Sequence, residues 1–422
     1  HSNRKIDPMD FNDTPQEAAF RAEVRAWLEA NAKPKSAVGF SAENPRFQRN
    51  EQEALKIAKA WQAKKAAKGY ARITWPKENG GLGGTPMQQV VYNQEEGKFD
   101  VPSGFFEIGL GMCIPTVTHY ASKDVAARYV KPALYGEEIW CQLFSEPSAG
   151  SDVAGLKTKA EKDGNDWVIN GQKVWTSGAH YSDYGILLTR TDPNVPKHKG
   201  LTMFYLSMKS PGVEVRPIKQ MSGGANFNEV FFNNVRIPDS QRLGNVGDGW
   251  SVALTTLMHE RLAVGGGQGG SGPDIKELIG LARETELEDG PAIRNASVRE
   301  RIAEWYVRGQ GLKYTTYRTL TALSQGRVPG PEASIAKVVV APKMQDLSSF
   351  AMDIEDMGGV MVGEDSPMMG AFQQSYMWAP GLRIAGGTDE ILKNIIAERV
   401  LGLPADIRVD KDIPYNKLPT GR

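Results

Sequence analysis

The spacing of the hydrophobic residues changes twice along this chain, and the change limits the folds that it can adopt. From about Phe11 to Glu138, and again from Gly249 to about Gly402, apolar residues recur at the spacing of a helix. From about Ile139 to Gly244 they alternate with polar residues, as in a half-buried strand. At ~150 residues per domain, the 422 residues suit about three structural units. The pattern predicts helices, then a β-domain, then helices.

The fold class expected from this order is an α+β multidomain chain. Asp13-Thr14-Pro15 predicts a capped start for the first helix, and the residues before Met9 resemble an expression remnant. The predicted segments are 1–8 for that remnant, 9–138 for an N-terminal α-helical domain, 139–245 for a β-barrel or β-sandwich domain, 246–405 for C-terminal helices and 406–422 for a C-terminal tail.

Individual elements are expected inside these segments. Asp163-Gly164-Asn165 and Asn170-Gly171 are typical hairpin turns and predict a short strand between them, Trp167–Ile169. Further strands are expected at Tyr184–Arg190, Leu201–Met208, Val213–Ile218 and Glu229–Ile237. The C-terminal helices are expected at Trp250–Gly265, Asp274–Glu284, Asn295–Gln325, Glu332–Met357 and Thr388–Val400.

Charge and cysteine content exclude several classes of partner. Lys plus Arg and Asp plus Glu each number 50, so the formal net charge is zero. Nucleic acids and anionic membranes require a concentrated basic surface, so neither is expected as a partner. Two distant cysteines and five scattered histidines predict neither a disulfide framework nor a metal site. With no long apolar run for membrane insertion, the sequence predicts a cytoplasmic protein.

The most conspicuous glycine cluster, Gly265–Gly272, contains a match to GxGxxG. A dinucleotide site of that type needs a strand before the motif and a helix after it. Here a predicted helix precedes it, so we interpret the cluster as a helix end or a hinge.

A second segment, residues 141–155, has the composition of a ligand-binding loop. It leaves a predicted strand with small residues, hydroxyl groups and exposed backbone N–H groups, which allow close approach to a flat polar ligand. The later stretch Trp175–Gly178 adds an aromatic face and hydroxyl groups. Trp175 either forms a wall against a planar ring or belongs to the hydrophobic core.

At these two segments the chain resembles the acyl-CoA dehydrogenase family. FSEPSAGSDVAG (144–155) matches the first signature of that family, and NGQKVWTSGA (170–179) matches its second flavin-contacting strand. The resemblance covers nearly the whole chain. It implies an N-terminal helical domain, a middle β-domain and a C-terminal four-helix bundle, with FAD between the last two. The FAD-binding residues that it implies are Gln142, Leu143, Phe144, Ser145, Trp175, Thr176, Ser177, Thr388 and Glu390, and the acyl-CoA contacts are Ser151 and Arg261.

The catalytic base departs from the commonest family pattern. Many members carry a glutamate just before a Gly-Thr pair, where this chain has Gly386. Glu260 is the candidate replacement, because helical spacing places it with Ala253 and Thr256 on a mainly apolar face, and partial desolvation makes a carboxylate more basic. Isovaleryl- and long-chain-type members are similar in placing the base on this helix. From the residues alone, a solvated surface role for Glu260 stays open. The Gly386 backbone N–H retains the family's contact with the thioester oxygen.

The resemblance implies that an acyl-CoA thioester is converted to a trans-2-enoyl-CoA in fatty-acid β-oxidation. Glu260 would remove the α-proton and flavin N5 would accept the β-hydride, with electrons passing to an electron-transfer flavoprotein. Two alternatives stay open, an acyl-CoA oxidase-type relative that uses O2 and a flavin-binding relative without dehydrogenase activity. The length, branching and ring content of the acyl group stay open too.

The family resemblance also implies a homodimer or homotetramer, but two positions near the expected subunit contact depart from the pattern. Acidic residues occupy Glu286–Gly290, where typical members have an Arg and a Phe that reach the FAD of a neighbouring subunit. Glu355 stands where a glutamine is common. A carboxylate beside a pyrophosphate is unfavourable, so these positions put the usual inter-subunit FAD contact in doubt.

Overall fold

The computed structural model describes residues 13–35, 50–265, 272–324, 330–363, 365–408, 410 and 412–419. The chain divides into two compact units, each built from separate stretches of sequence. Unit 1 contains His1–Asn50, Thr85–Val101 and Gly265–Ala405, and unit 2 contains Glu51–Gly84, Pro102–Val264 and Asp406–Arg422. The proposed remnant, 1–8, and glycine-cluster positions 266–271 lie outside the described residues. The segment boundaries given above stay predictions.

The helices flank the strands in sequence, as the hydrophobic periods predict. Thr14 caps the first helix through a hydrogen bond from the Glu17 amide, and the Glu17 carboxylate accepts from the Thr14 amide, which confirms the predicted start. In the described residues the α-helices are α1 Pro15–Asn31, α2 Glu51–Lys68, α3 Pro86–Glu96, α4 Ile114–Tyr120, α5 Lys123–Leu134, α6 Gly249–Gly265, α7 Ile275–Glu284, α8 Ala296–Ser324, α9 Ser334–Ile354, α10 Ala371–Leu382 and α11 Asp389–Ile395.

Most strands of the described residues belong to one mixed sheet in unit 2. Its strand order is β10-β7-β6-β4-β5-β9-β8, and β3 pairs with β6 in parallel. The strands are β1 Lys33–Pro34, β2 Phe99–Asp100, β3 Trp140–Leu143, β4 Lys159–Asp163, β5 Asp166–Ser177, β6 Tyr184–Arg190, β7 Leu201–Ser207, β8 Val213–Ile218, β9 Phe227–Pro238, β10 Arg242–Leu243, β11 Glu286–Leu287 and β12 Gly290–Pro291.

The hairpin turn predicted at Asn170-Gly171 is wrong, because both residues lie inside the long strand β5. Pairing of β5 with β9 shifts register between Ile169 and Gly171, so the glycine marks a β-bulge instead of a turn. A second register shift lies between Lys173 and Thr176. Bulges re-aim side chains, and this one adjoins Trp175.

Each unit has its own hydrophobic core. In unit 2 the cores form above and below the sheet, and Cys113 and Cys141 are free and buried there, as small apolar residues would be. In unit 1 the core joins α7, α8, α9 and α10 around Trp305 and Phe372.

The long C-terminal helices are confirmed within a few residues of their predicted bounds, but α10 is absent from the prediction. Pro380 and Gly381 near its end weaken the helical signal.

Helices long and apolar enough to cross a membrane are not found in the described parts of the chain. Those parts also contain no group of acidic, cysteine and histidine residues that could hold a metal ion.

Candidate active site

The loop that follows β3 is anchored to β5 by a buried ion pair. Lys173 Nζ donates to Glu146 Oε1 at 2.8 Å and to Phe144 O at 3.0 Å. The amides of Lys157 and Thr158 donate to the Glu146 carboxylate. Burial lowers the pKa of Lys173 to about 8, even though Glu146 opposes that shift. Burial would raise the pKa of Glu146, but Lys173 and the other donors hold it below its usual value.

The end of β3 and the first residues of the anchored loop present only some of their atoms to a ligand. The side chains of Leu143 and Phe144 are buried in the cores of unit 2, so main-chain atoms are what these residues chiefly offer. Gln142 and Ser145 remain half-buried. The Val174 amide donates to Ser145 O at 2.9 Å, which places the loop directly beside β5.

Trp175 projects from β5 at this place. Its side chain is 60% exposed and its φ is +60°, a conformation that non-glycine residues seldom adopt. The core alternative for Trp175 is therefore wrong. Backbone strain of this kind costs about 1–3 kcal/mol and accumulates at functional sites, since the surrounding structure has to impose it. The exposed indole forms an aromatic surface that a planar ring can cover.

Thr176 and Ser177 complete this surface. Thr176 is buried, and its hydroxyl group has no hydrogen-bond partner among the described residues. An unpaired buried polar group costs about 1–3 kcal/mol, which a ligand with a polar edge would recover. Ser177 is half-buried at the end of β5. An exposed indole beside an unsatisfied hydroxyl group fits the flavin ring of FAD, whose edge carries hydrogen-bonding atoms.

Ser151 lies further along the same loop and is exposed. Asp152 follows it and accepts a hydrogen bond from Lys197 Nζ at 2.9 Å. A 3₁₀ turn, Val153–Gly155, then leads into β4. The loop therefore presents Ser151 to solvent directly before a residue whose side chain is held by Lys197.

Glu260 and Arg261 lie near the end of α6, where the side chains are outside the described residues. Earlier in α6, Ala253 and Thr256 are fully buried, and the Thr256 hydroxyl group lies 2.9 Å from that of Thr116. Helical spacing places position 260 on the same face of the helix. The described part of α6 thus agrees with the mainly apolar face inferred from sequence.

Gly386, Thr388 and Glu390 lie in unit 1, around the start of α11. Gly386 is exposed with φ +64°, and Lys337 Nζ donates to Gly387 O. Thr388 caps α11 by accepting a hydrogen bond from the Ile391 amide at 3.2 Å. Glu390 is exposed in the first turn of that helix.

The predicted site residues thus fall into two groups. Unit 2 brings Gln142–Ser145, Ser151 and Trp175–Ser177 onto one loop and the adjoining strand, and it also contains positions 260 and 261. Unit 1 holds the loop of Gly386, with Thr388 and Glu390.

The two departures near the expected subunit contact also have defined structures in unit 1. Glu286–Gly290 contributes to a small antiparallel hairpin, β11–β12. Glu355 is buried, and burial raises its pKa to about 7 although a hydrogen bond from Gln373 opposes the shift. Glu355 Oε1 and Gln373 Oε1 have no hydrogen-bond partners among the described residues.

Sequence reasoning did not single out Glu146 and Lys173 as residues that hold the site together. The sequence did contain a signal, because the alternation of β5 places Lys173 in phase with Trp167 and Ile169, both buried. A lysine in an inward phase requires a buried partner.

Three family models match successive parts of the chain. They describe the N-terminal, middle and C-terminal domains of acyl-CoA dehydrogenases and match residues 14–137, 141–235 and 247–401. These matches define the class of protein as an FAD-dependent oxidoreductase. The chain belongs to the acyl-CoA dehydrogenase family, its cofactor is FAD, and its fold has the three-part order that the sequence predicts.

Relatives and solved structures agree with this assignment. Acyl-CoA dehydrogenase IpdE1 of Mycobacterium tuberculosis is 36% identical over 92% of this chain and 98% of its own length. FadE34 of the same organism is 37% identical over 78% of this chain, which corresponds to 44% of FadE34. A solved structure described as the Tcur3481-Tcur3483 steroid ACAD is 25% identical, with a TM-score of 0.78 over 94% of this chain and all of that one. A chain of the ChsE4-ChsE5 complex from M. tuberculosis has the same fold. It is 24% identical, with a TM-score of 0.76 over 94% of this chain and all of that one.

Proposed function

We propose that this protein dehydrogenates an acyl-CoA thioester to a trans-2-enoyl-CoA. The observation that carries the proposal is the surface formed by the end of β3, the loop 144–155 and β5, where an exposed, strained Trp175 adjoins a loop fixed by buried charges. Such a surface is preorganised, because its backbone does not have to rearrange when a ligand binds.

Residues from this surface are proposed to hold FAD. Trp175 would cover the flavin ring, and the hydroxyl groups of Ser145, Thr176 and Ser177 would bond its polar edge. Gln142, with main-chain atoms of Leu143 and Phe144, would complete the contact. When bound, FAD supplies the two-electron acceptor that takes the β-hydrogen of the thioester as hydride.

Glu260 is proposed as the general base that accepts the α-proton. The thioester α-proton is weakly acidic, so its removal needs both a positioned base and stabilisation of the negative charge that develops on the thioester oxygen. The backbone N–H of Gly386 is the proposed donor to that oxygen. Glycine at this position leaves room beside the loop, while Thr388 holds the start of α11. Ser151 and Arg261 are proposed to bind the acyl-CoA.

The electron acceptor and the assembly are further parts of the proposal. We expect electrons to leave through an electron-transfer flavoprotein, and the chain to form a homodimer or homotetramer. Two solved structures that resemble this chain have descriptions that name two different chains. The alternative to a homo-oligomer is therefore an assembly with a different chain, and the mass of the purified protein in solution distinguishes the two. A mass that is a multiple of this chain supports a homo-oligomer, whereas a monomer that binds FAD only after a different chain is added contradicts the proposed homo-oligomer.

The acyl group is proposed to be bulky and ring-containing, since a steroid ACAD is among the solved structures of similar fold. Steroid-derived, branched and straight-chain CoA esters should be compared in anaerobic titrations of the yellow holoenzyme. Bleaching of the flavin absorbance, strongest with the ring-containing esters, is the expected result. Fast peroxide formation in air would favour the oxidase alternative, and absence of bleaching with every ester would favour a relative without dehydrogenase activity.

Glu260→Gln tests the base. This variant should keep FAD but lose about 10²–10⁴-fold in the rate of bleaching, because proton abstraction loses its base. Glu137→Gln, at an exposed glutamate in unit 2, is the matched control and should bleach at the wild-type rate. Full activity in Glu260→Gln would refute the assignment.

A further inference from the structure

The described part of the tail segment, residues 406–408, 410 and 412–419, belongs to unit 2, although the matched family domains end at residue 401. The amides of Tyr415 and Asn416 donate to Val195 O at 2.9 Å and to Pro193 O at 3.0 Å. Pro414 forms a β-bridge with Pro196 in the same stretch. Residues 414–416 of the tail are therefore paired with the β6–β7 connection.

The Tyr415 side chain reaches the loop that carries Ser151. Its hydroxyl group donates to Gly155 O at 3.2 Å, and its ring lies 3.5 Å from the guanidinium carbon of Arg190. Arg190 is buried and donates to Ala154 O at 2.5 Å and to Leu156 O at 3.1 Å. Tyr415 thus covers the Arg190 guanidinium. Together the two side chains bind the carbonyl groups of three successive loop residues: Arg190 binds Ala154 and Leu156, and Tyr415 binds Gly155.

A second tail residue acts on the same loop through Lys197. Lys197 Nζ donates to Asp152 Oδ2 at 2.9 Å and to Asp410 Oδ2 at 2.5 Å. The lysine side chain is 11% exposed, so its charge is partly desolvated and depends on both carboxylates. Asp410 therefore helps to neutralise the charge of Lys197, and Lys197 holds Asp152, the residue directly after Ser151.

We propose that Tyr415 and Asp410 are positioning residues, through which the tail segment holds Ser151 in the geometry that binds acyl-CoA. The inference rests on the proposed role of Ser151 in substrate binding. The Glu146–Lys173 pair anchors the flavin-side end of the loop independently of the tail. Loss of the tail should therefore weaken acyl-CoA binding and leave FAD in place.

The test compares full-length holoenzyme with Tyr415→Ala, Tyr415→Phe, Asp410→Asn and a chain that ends at Ala405. Tyr415→Ala and the shortened chain should raise KM for the acyl-CoA about tenfold with little change in kcat or flavin content, since a misplaced binding group affects ground-state binding. Tyr415→Phe keeps the ring over Arg190 and should recover most of that loss. Lys417→Ala, at an exposed tail residue, is the control and should match the wild type. An unchanged KM in both Tyr415→Ala and the shortened chain would overturn the inference.

Hydrogen exchange of residues 150–157 gives a readout that does not require activity. Faster exchange in the shortened chain, with unchanged exchange of β9, supports a positioning tail even if no CoA ester bleaches the flavin. Unchanged exchange in residues 150–157 overturns the inference even if the dehydrogenase activity is established. The two measurements therefore separate failure of this inference from failure of the proposed function.

Discussion

The loop after β3 in unit 2 and the loop before α11 in unit 1 both carry predicted site residues, but different interactions hold them. The first rests on Glu146 and Lys173, whose side chains are 3% and 0% exposed. The second rests on the Thr388 cap and on the pair of Arg383 with Asp389 at 2.8 Å, in which Arg383 is 44% exposed and Asp389 is 4% exposed. Two buried charges depend strongly on one another, whereas a pair with one solvent-exposed partner depends less on that partner, because water can replace it. This difference predicts that the proposed flavin surface is rigid but sensitive to loss of either buried charge, and that the loop at Gly386 tolerates substitution.

The largest expected effect is that of Lys173→Met, which leaves the buried Glu146 without its cation. The free energy of unfolding should fall by about 3–5 kcal/mol, and FAD should dissociate more readily. Arg236→Met, which removes exposed pairs with Asp163 and Asp166, is the control and should lower the free energy of unfolding far less than Lys173→Met does. Urea denaturation of the three proteins measures both values. If both variants lowered the free energy of unfolding equally, burial would not explain the contribution of the Glu146–Lys173 pair.

Gly178→Ala tests how closely packed the end of β5 is. A Cβ at this position would lie 2.3 Å from Tyr181 Oη and 2.4 Å from Cζ, and φ is already +65°. Because the ring has to move and the backbone is strained, the expected loss is about 2–4 kcal/mol. The melting temperature and flavin content report it. Wild-type values for both would contradict the tight packing described for this region.

Glu355→Gln compares a buried carboxylate that has no cation with Glu146, which has one. Its pKa is about 7 in the folded protein against an ordinary value of 4.5, so the folded state holds a proton that the unfolded state releases between these values. Glu355 should contribute a loss of about 1–3 kcal/mol of stability as the pH rises from 4.5 to above 7, so the wild type should lose more stability over this range than the variant does. Urea denaturation at pH 5 and pH 8 gives the two differences. Identical pH dependence in both proteins would exclude Glu355 as the source.

Gly386→Ala should have the smallest effect. The residue is exposed with φ +64°, so alanine costs about 1 kcal/mol of backbone strain. The backbone N–H is retained. Thermal denaturation beside Gly178→Ala measures the difference between the end of β5 and the loop of Gly386. A loss as large as that of Gly178→Ala would contradict a tolerant loop at Gly386.

Much of the fold follows from local pattern. The sequence pattern predicts β6, β7, β8 and β9 closely. In β8 and β9 apolar residues alternate because one face lies in a core, whereas β6 and β7 are continuous apolar runs that are buried on both faces. Local rules fail at Asn170-Gly171, where pairing with β9 places a turn-forming dipeptide inside a strand. They also fail at α10, which packs on α9 in spite of Pro380 and Gly381. In both places contacts distant in sequence outweigh local preference.

The sequence by itself determined the family, the order of helices and strands, and the two segments that form the proposed flavin surface. These features depend on residue spacing and on short motifs, which are local in the chain. The tertiary structure decided that Trp175 faces outward, that Glu146 and Lys173 share a buried site, and that the tail reaches the loop of Ser151. Burial and charge pairing depend on residues that are far apart in the sequence, so a local sequence pattern cannot predict which of these residues come into contact.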